Sequence, residues 1–220
     1  MNLLRRLFHF HRWTYVPDRR RCDGCRVIQH GVFIEHKGLY NTRGDVPEQE
    51  YTIPFGEAVV RRSGKDITLV GMSVMVHKAL EAAARLEAQG ISVEVIDPRT
   101  LVPFDTETIL NSVAKTGRLT IVDEAYASCG VSAEIAAIVA SEALYDLDAP
   151  IQRICALPAP HAFAPSLDNY LIPSVDRIVG EVAASFARKA AILSSGVCEQ
   201  YGQPPTSSNV SRSAMWRSSS

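Results

Sequence analysis

No apolar run in these 220 residues approaches the roughly 18 needed to cross a bilayer, so the sequence offers nothing for a membrane-spanning role. Charge of one sign is missing too. The 23 Lys and Arg against 24 Asp and Glu leave a formal net charge of −1, which argues against nucleic acid or an anionic membrane as the main partner. A cysteine framework is also lacking: five is an odd number, and Cys129, Cys155 and Cys198 stand alone. Isolated thiols in such a chain are ordinarily reduced. Cys22 and Cys25 make half of a zinc site, and His9 and His11 lack the spacing that would complete it, so no metal ligands are assigned. Residues 1–30 are basic and aromatic without an apolar core long enough for a secretory signal. They are read as an atypical or disordered segment. The expected compartment is the cytoplasm, or the mitochondrial matrix in a eukaryote.

Glycine fingerprints are absent where they would matter most. The turn Gly71-Met72-Ser73-Val74-Met75 follows a buried-strand run, yet it lacks the later glycines of a dinucleotide-binding loop and the Gly-Lys-Ser/Thr of a phosphate loop. Met75 stands where a nucleophile elbow requires glycine. Ser73 is therefore read as a helix cap, and a hydrolase or a dinucleotide-dependent dehydrogenase is disfavoured.

What is present is a repeating rhythm. Ile67 to Gly71 reads as a strand, and Val76, Ala79, Leu80, Ala83 and Leu86 share one helical face before Gly90. Ser92 to Asp97 is the next strand, stopped by Pro98. A helix capped by Asp105, a strand at 118–123, a helix with Val131, Ile135, Ile138 and Val139, and a strand at 151–156 follow. A last helix is capped by Ser174. Alternation of this kind predicts an α/β fold with a mostly parallel sheet and helices on both faces. Before it, 31–35 reads as a short strand, His36 as a solvated strand-end histidine, and 57–62 as an edge strand. Residues 157–172 read as a long loop with apolar Phe163, Leu167, Tyr170 and Leu171, and 189–220 as a disordered, serine-rich tail.

Four blocks then carry a resemblance: GVFIEHKGLYNTRGDVPEQEYTIPFGEA, ITLVGMSVMVHKALEAAARLEAQGISVEVIDPRTLVPFDTETI, GRLTIVDEA and PAPHAFAPSLDNYLIPS. In this order they resemble the beta subunit of thiamine-dependent 2-oxo acid dehydrogenases of the pyruvate/acetoin group, from about Gly31 to Phe186. The resemblance implies a transketolase-type C-terminal domain at 61–188, with 31–60 as linker and the residual end of a pyrimidine-binding domain. It also implies thiamine diphosphate with Mg in the assembled enzyme, with none expected on this chain alone. The implied partners are an alpha subunit, a second beta subunit and a lipoyl acyltransferase. With the main body of the pyrimidine-binding domain not in this sequence, the chain is expected to be a truncated subunit, inactive by itself and without catalytic residues of its own.

Candidate site residues are few. Arg99 and Thr100 follow the second strand of the unit, where α/β sheets bind ligands. Arg99 suits a carboxylate or phosphate, or else serves as a structural arginine joined to Asp97, Asp105 or Asp123. This feature supports an alternative function, a free-standing anion-binding regulatory module. Asp123 and Glu124 are read as a solvated strand end, and His77 as a partner of its own turn. His161, Phe163, Leu167 and Tyr170 are the candidates for a partner interface.

Overall fold

The computed structural model describes residues 34–43, 48–49 and 51–187 in full and, as backbone, three strands within 13–30 and the helical residues 188–194. The chain divides into two compact units, Met1–Glu48 and Gln49–Ser220. In the first, β1 (Trp13–Val16), β2 (Arg19–Cys22) and β3 (Ile28–His30) pair antiparallel in that order. Of the strand expected at 31–35, Ile34 and Glu35 carry no strand pairing, and 31–33 lie outside the described residues. His36 is not a strand end. Its Nδ1 accepts the Gly38 N–H at 3.0 Å and caps a short 3-10 turn, Lys37–Leu39.

The second unit holds the sheet. Its strands are β4 (Val59–Arg62), β5 (Ile67–Gly71), β6 (Val93–Asp97), β7 (Leu119–Tyr126) and β8 (Gln152–Ala156), in the order β4-β6-β5-β7-β8. β4 runs antiparallel at one edge, and the other pairs are parallel. β5 is buried along its whole length, as expected of a central parallel strand covered on both faces.

Helix α1 (Met75–Glu87) and helix α5 (Val175–Ser194) cover one face, where Met75, Ala79, Ala83, Leu86, Ile178 and Val182 meet Ile67, Leu69, Val93 and Val95. Helix α2 (Thr106–Thr116) and helix α3 (Val131–Glu142) cover the other, packing Ile109, Val113, Ile135 and Val139 on Val70, Ile96, Leu119 and Ile121. Burial of such side chains contributes about 1.5–3 kcal/mol each. A buried polar strand threads the second face. Thr68 Oγ1 lies 2.6 Å from Ser112 Oγ and 2.7 Å from Thr116 Oγ1, and Ser112 donates to Glu94 Oε1 at 2.5 Å.

Caps separate the elements, not always where the sequence placed them. Ser73 does not cap α1: it sits in the left-handed region at φ 52, and Val74 holds the cap position without a side-chain bond. Gly90, at φ +82, ends the turn that closes this helix, with Ile91 N–H bonded to the Leu86 carbonyl. Ser174 does cap α5, accepting the Arg177 N–H at 3.1 Å.

Asp105 caps α2 as expected. Its Oδ1 accepts the Thr108 N–H at 3.0 Å, and its Oδ2 accepts the Ala58 N–H at 2.8 Å and the Thr108 hydroxyl. Burial pushes this carboxyl's pKa up, but the three hydrogen bonds outweigh it and hold the pKa below the ordinary value. Asp105→Ala removes the cap and the tie to the segment before β4. It is expected to cost about 2 kcal/mol, read as a lower urea midpoint. An unchanged midpoint would show that neither bond matters.

Candidate functional site

The carboxyl ends of the parallel strands gather the loops that sequence reasoning singled out. β5 leads into α1 on one face, whereas its neighbour β7 leads into α3 on the other. The chain therefore diverges between these two strands, the place where open α/β sheets form a ligand crevice. All three non-glycine residues with positive φ among the described residues lie at this edge: Ser73 after β5, Arg99 after β6 and Cys129 after β7, at φ 52, 57 and 57. Each costs conformational energy that surrounding contacts must offset.

At the end of β6, Arg99 is exposed and Thr100 half-buried. The Arg99 N–H donates to Asp97 Oδ1 at 3.2 Å, and its Nε donates to the Glu57 carbonyl at 3.0 Å. Asp97 itself pairs with Arg61. The Thr100 hydroxyl accepts the Gly56 N–H at 2.9 Å. Both candidate anion contacts thus bind the segment leading to β4, and their geometry holds one loop against another.

Asp123 is not a solvated strand end. Only 4% of its surface is exposed, its Oδ1 accepts the Ala125 N–H at 3.0 Å, and its Oδ2 is sealed without a hydrogen-bond partner among the described residues. Asp123 lies within β7, not at its end, where the pairing with β8 shifts register between Val122 and Tyr126. Lys78 donates its amine to the Pro173 carbonyl at 2.9 Å and so ties α1 to the start of α5. Burial lowers its pKa, and the Glu124 charge opposes that shift. His77 is exposed on the first turn of α1.

The stretch 157–172 is not wholly a loop, because Pro165–Leu171 forms a short helix, α4, with proline in its first turn. Phe163, Leu167 and Tyr170 are exposed, whereas Leu171 is buried. His161 Nδ1 lies 2.8 Å from Asp168 Oδ1, and the Tyr126 hydroxyl donates to the Ala159 carbonyl at 2.7 Å. His161 and Phe163 precede α4, and Leu167 and Tyr170 lie on it. Sequence reasoning missed Asp168, and also Tyr126, whose contact reaches 33 positions along the chain. It also missed an open apolar hollow of about 460 Å³ between the end of α3 and β8, lined by Ala140, Leu144, Leu147, Pro150 and Ile151.

Residues 56–178 match the model for the transketolase C-terminal domain. The chain is 48% identical over 158 residues to the beta subunit of acetoin:2,6-dichlorophenolindophenol oxidoreductase from Cupriavidus necator, covering 72% of this chain and 45% of the relative. It is 43% identical over 155 residues to the beta subunit of the pyruvate dehydrogenase E1 component from Staphylococcus epidermidis, covering 70% and 47%. The chain therefore spans about half the length of the curated relatives it matches. Among solved structures it resembles a split-gene transketolase in an inactive beta4 tetramer, with a TM-score of 0.55 and 26% identity over 66% of this chain and 46% of that one.

Proposed function

The chain belongs to the transketolase C-terminal domain family, and from that premise we propose that it is the C-terminal domain of a beta subunit in the decarboxylating component of a pyruvate/acetoin-type 2-oxo acid dehydrogenase complex. Its part is assembly: contact with an alpha subunit and a second beta subunit, and docking of the lipoyl acyltransferase. The observation that carries this reading is the exposed Phe163, Leu167 and Tyr170 within one short stretch of a domain whose relatives are named as beta subunits. Clustered exposed apolar side chains mark protein contacts.

Thiamine diphosphate with magnesium supplies the electron sink in the assembled enzymes of this family. Among the described residues no group of three or more His, Cys, Asp and Glu side chains is placed to hold a metal ion. In this reading the domain's own contribution is structural. Oxidative decarboxylation belongs in this proposal to the whole assembly.

Co-expression with a matching alpha subunit, followed by affinity purification of one partner, tests this directly. The two chains are expected to co-purify. A soluble chain that leaves the alpha subunit in the flow-through would overturn the assembly reading and favour the free-standing module.

A further inference from the structure

The apolar hollow between α3 and β8 lies at the amino ends of the strands, opposite the edge that carries Ser73, Arg99 and Cys129. Ile151 in its lining leads directly into β8, and the neighbouring Asp148 N–H donates to the Gly117 carbonyl at 2.7 Å, just before β7. Leu144 of its wall is exposed, and Tyr145 beside it stands wholly in solvent. A concave apolar surface of about 460 Å³ is of the size that accepts a large side chain or a small ligand.

Helix α5 delivers the chain to this same edge. It starts beside the Pro173 carbonyl that Lys78 holds at the head of α1. Farther along, its Phe186 ring lies 4.1 Å from the guanidinium of Arg118, the residue immediately before β7. The helix then continues to Ser194, about 12 Å past Phe186. The residues from Ser194 to Trp216 reach about 70 Å when extended, more than twice the roughly 30 Å length of α5. Reach therefore does not limit a return to the hollow.

Charge and shape narrow the occupant. Residues 195–220, which lie outside the described residues, hold one acid, Glu199, and two bases, Arg212 and Arg217. The two arginines bracket Met215 and Trp216, the largest adjoining apolar pair in that stretch. The hollow is complementary: from Leu119 through Gln152 there is no Lys or Arg, and Glu142 and Asp146, which flank Leu144 in the chain, are exposed. Attachment favours the chain's own segment as well. A tethered group meets its site at about millimolar effective concentration, which dilute copies of the chain do not match.

We propose that Trp216 seats in this hollow, with Arg212 and Arg217 against Glu142 and Asp146, so that the C-terminal segment straps the end of α3 to the start of β8. The strap stands apart from the assembly reading above, since it needs no second protein.

The full chain carrying Trp13→Phe keeps Trp216 as its only tryptophan, and acrylamide quenching of its fluorescence reads the burial of that ring. Quenching is expected to be about three- to tenfold weaker than for the same chain in urea, with a blue-shifted emission. Ala140→Arg, at an exposed position on α3 that suits a helix, puts bulk and like charge into the hollow. It should return quenching to the unfolded level with the far-UV circular dichroism unchanged. Leu144→Ser should weaken the protection in the same direction. Arg212→Gln together with Arg217→Gln should shift the docking equilibrium about two- to fivefold and reduce its dependence on salt. Unfolded-level quenching in the Trp13→Phe chain would overturn the proposal. So would protection that survives both Ala140→Arg and Leu144→Ser, because the ring would then sit elsewhere. Protection that grows with protein concentration, together with a sedimenting dimer, would assign the ring to a second copy's hollow, against the chain's own.

Discussion

Replacing Gly64 by alanine is expected to destabilise the second unit by at least about 4 kcal/mol and to lower its Tm by roughly 8–16 °C. A Cβ built on Gly64 would stand 2.2 Å from the Val93 carbonyl carbon and the Glu94 nitrogen, and 2.6 Å from the Val93 oxygen. These are backbone atoms of β6, not the far end of a flexible side chain. They cannot retreat, because β6 is paired to β5 on one side and β4 on the other. Lys65 and Asp66 hold the same turn down by donating their N–H groups to the Ser92 carbonyl. Gly90→Ala is the matched control. No atom lies within 4 Å of its added Cβ, so only the positive φ of +82 opposes it, at a cost of about 1–2 kcal/mol. Thermal unfolding of both variants separates the two mechanisms, and equal losses would sink the close-approach argument.

Glu94→Gln is expected to cost about 1–3 kcal/mol at pH 7, with the loss shrinking as the solution is acidified. Only 3% of Glu94 is exposed, and burial alone would raise its pKa. Hydrogen bonds from the Lys115 amine, the Ser112 hydroxyl and the Gly64 N–H, together with the Lys115 charge, overcome that and hold the pKa below the ordinary value. Lys115 is about half exposed, so solvent screens part of the attraction and the cost stays below that of breaking a fully buried pair.

The direction with pH follows from the lowered pKa. A carboxylate more acidic in the folded than in the unfolded chain contributes stability in full above its unfolded pKa, near about 4.3. That contribution is lost as pH falls through the folded value. Urea unfolding of wild type and Glu94→Gln at pH 7 and at progressively lower pH measures the gap between them. A gap that stays constant on acidification would show that the charge of Glu94 contributes nothing.

The order of elements was legible in the residues because each strand and helix announces itself locally. The apolar run Ile67–Gly71 with its flanking polar residues, the helical spacing from Val76 to Leu86, and Asp105 and Ser174 at their caps all depend on neighbours within a few positions. The same locality explains the errors. Ser73 has the chemistry of a cap, but the sharp exit from β5 carries it into the left-handed region instead. Pro165–Leu171 is too short to show a convincing period, and it became a helix with its buried Leu171 beneath it.

The sequence by itself determined the fold class and the family. Apolar periodicity and four ordered blocks survive in one dimension. Tertiary structure alone decided what the polar residues do. Arg99 and Thr100 bind the segment before β4, Asp123 is buried within β7, and Glu94 enters the core held by Gly64, Ser112 and Lys115. Tyr126 and Asp168 come to brace the stretch around Phe163 in the same way. The physical reason is range: burial patterns are written at spacings of two to four residues, whereas most of these polar partners lie tens of positions apart and meet only once the sheet has formed.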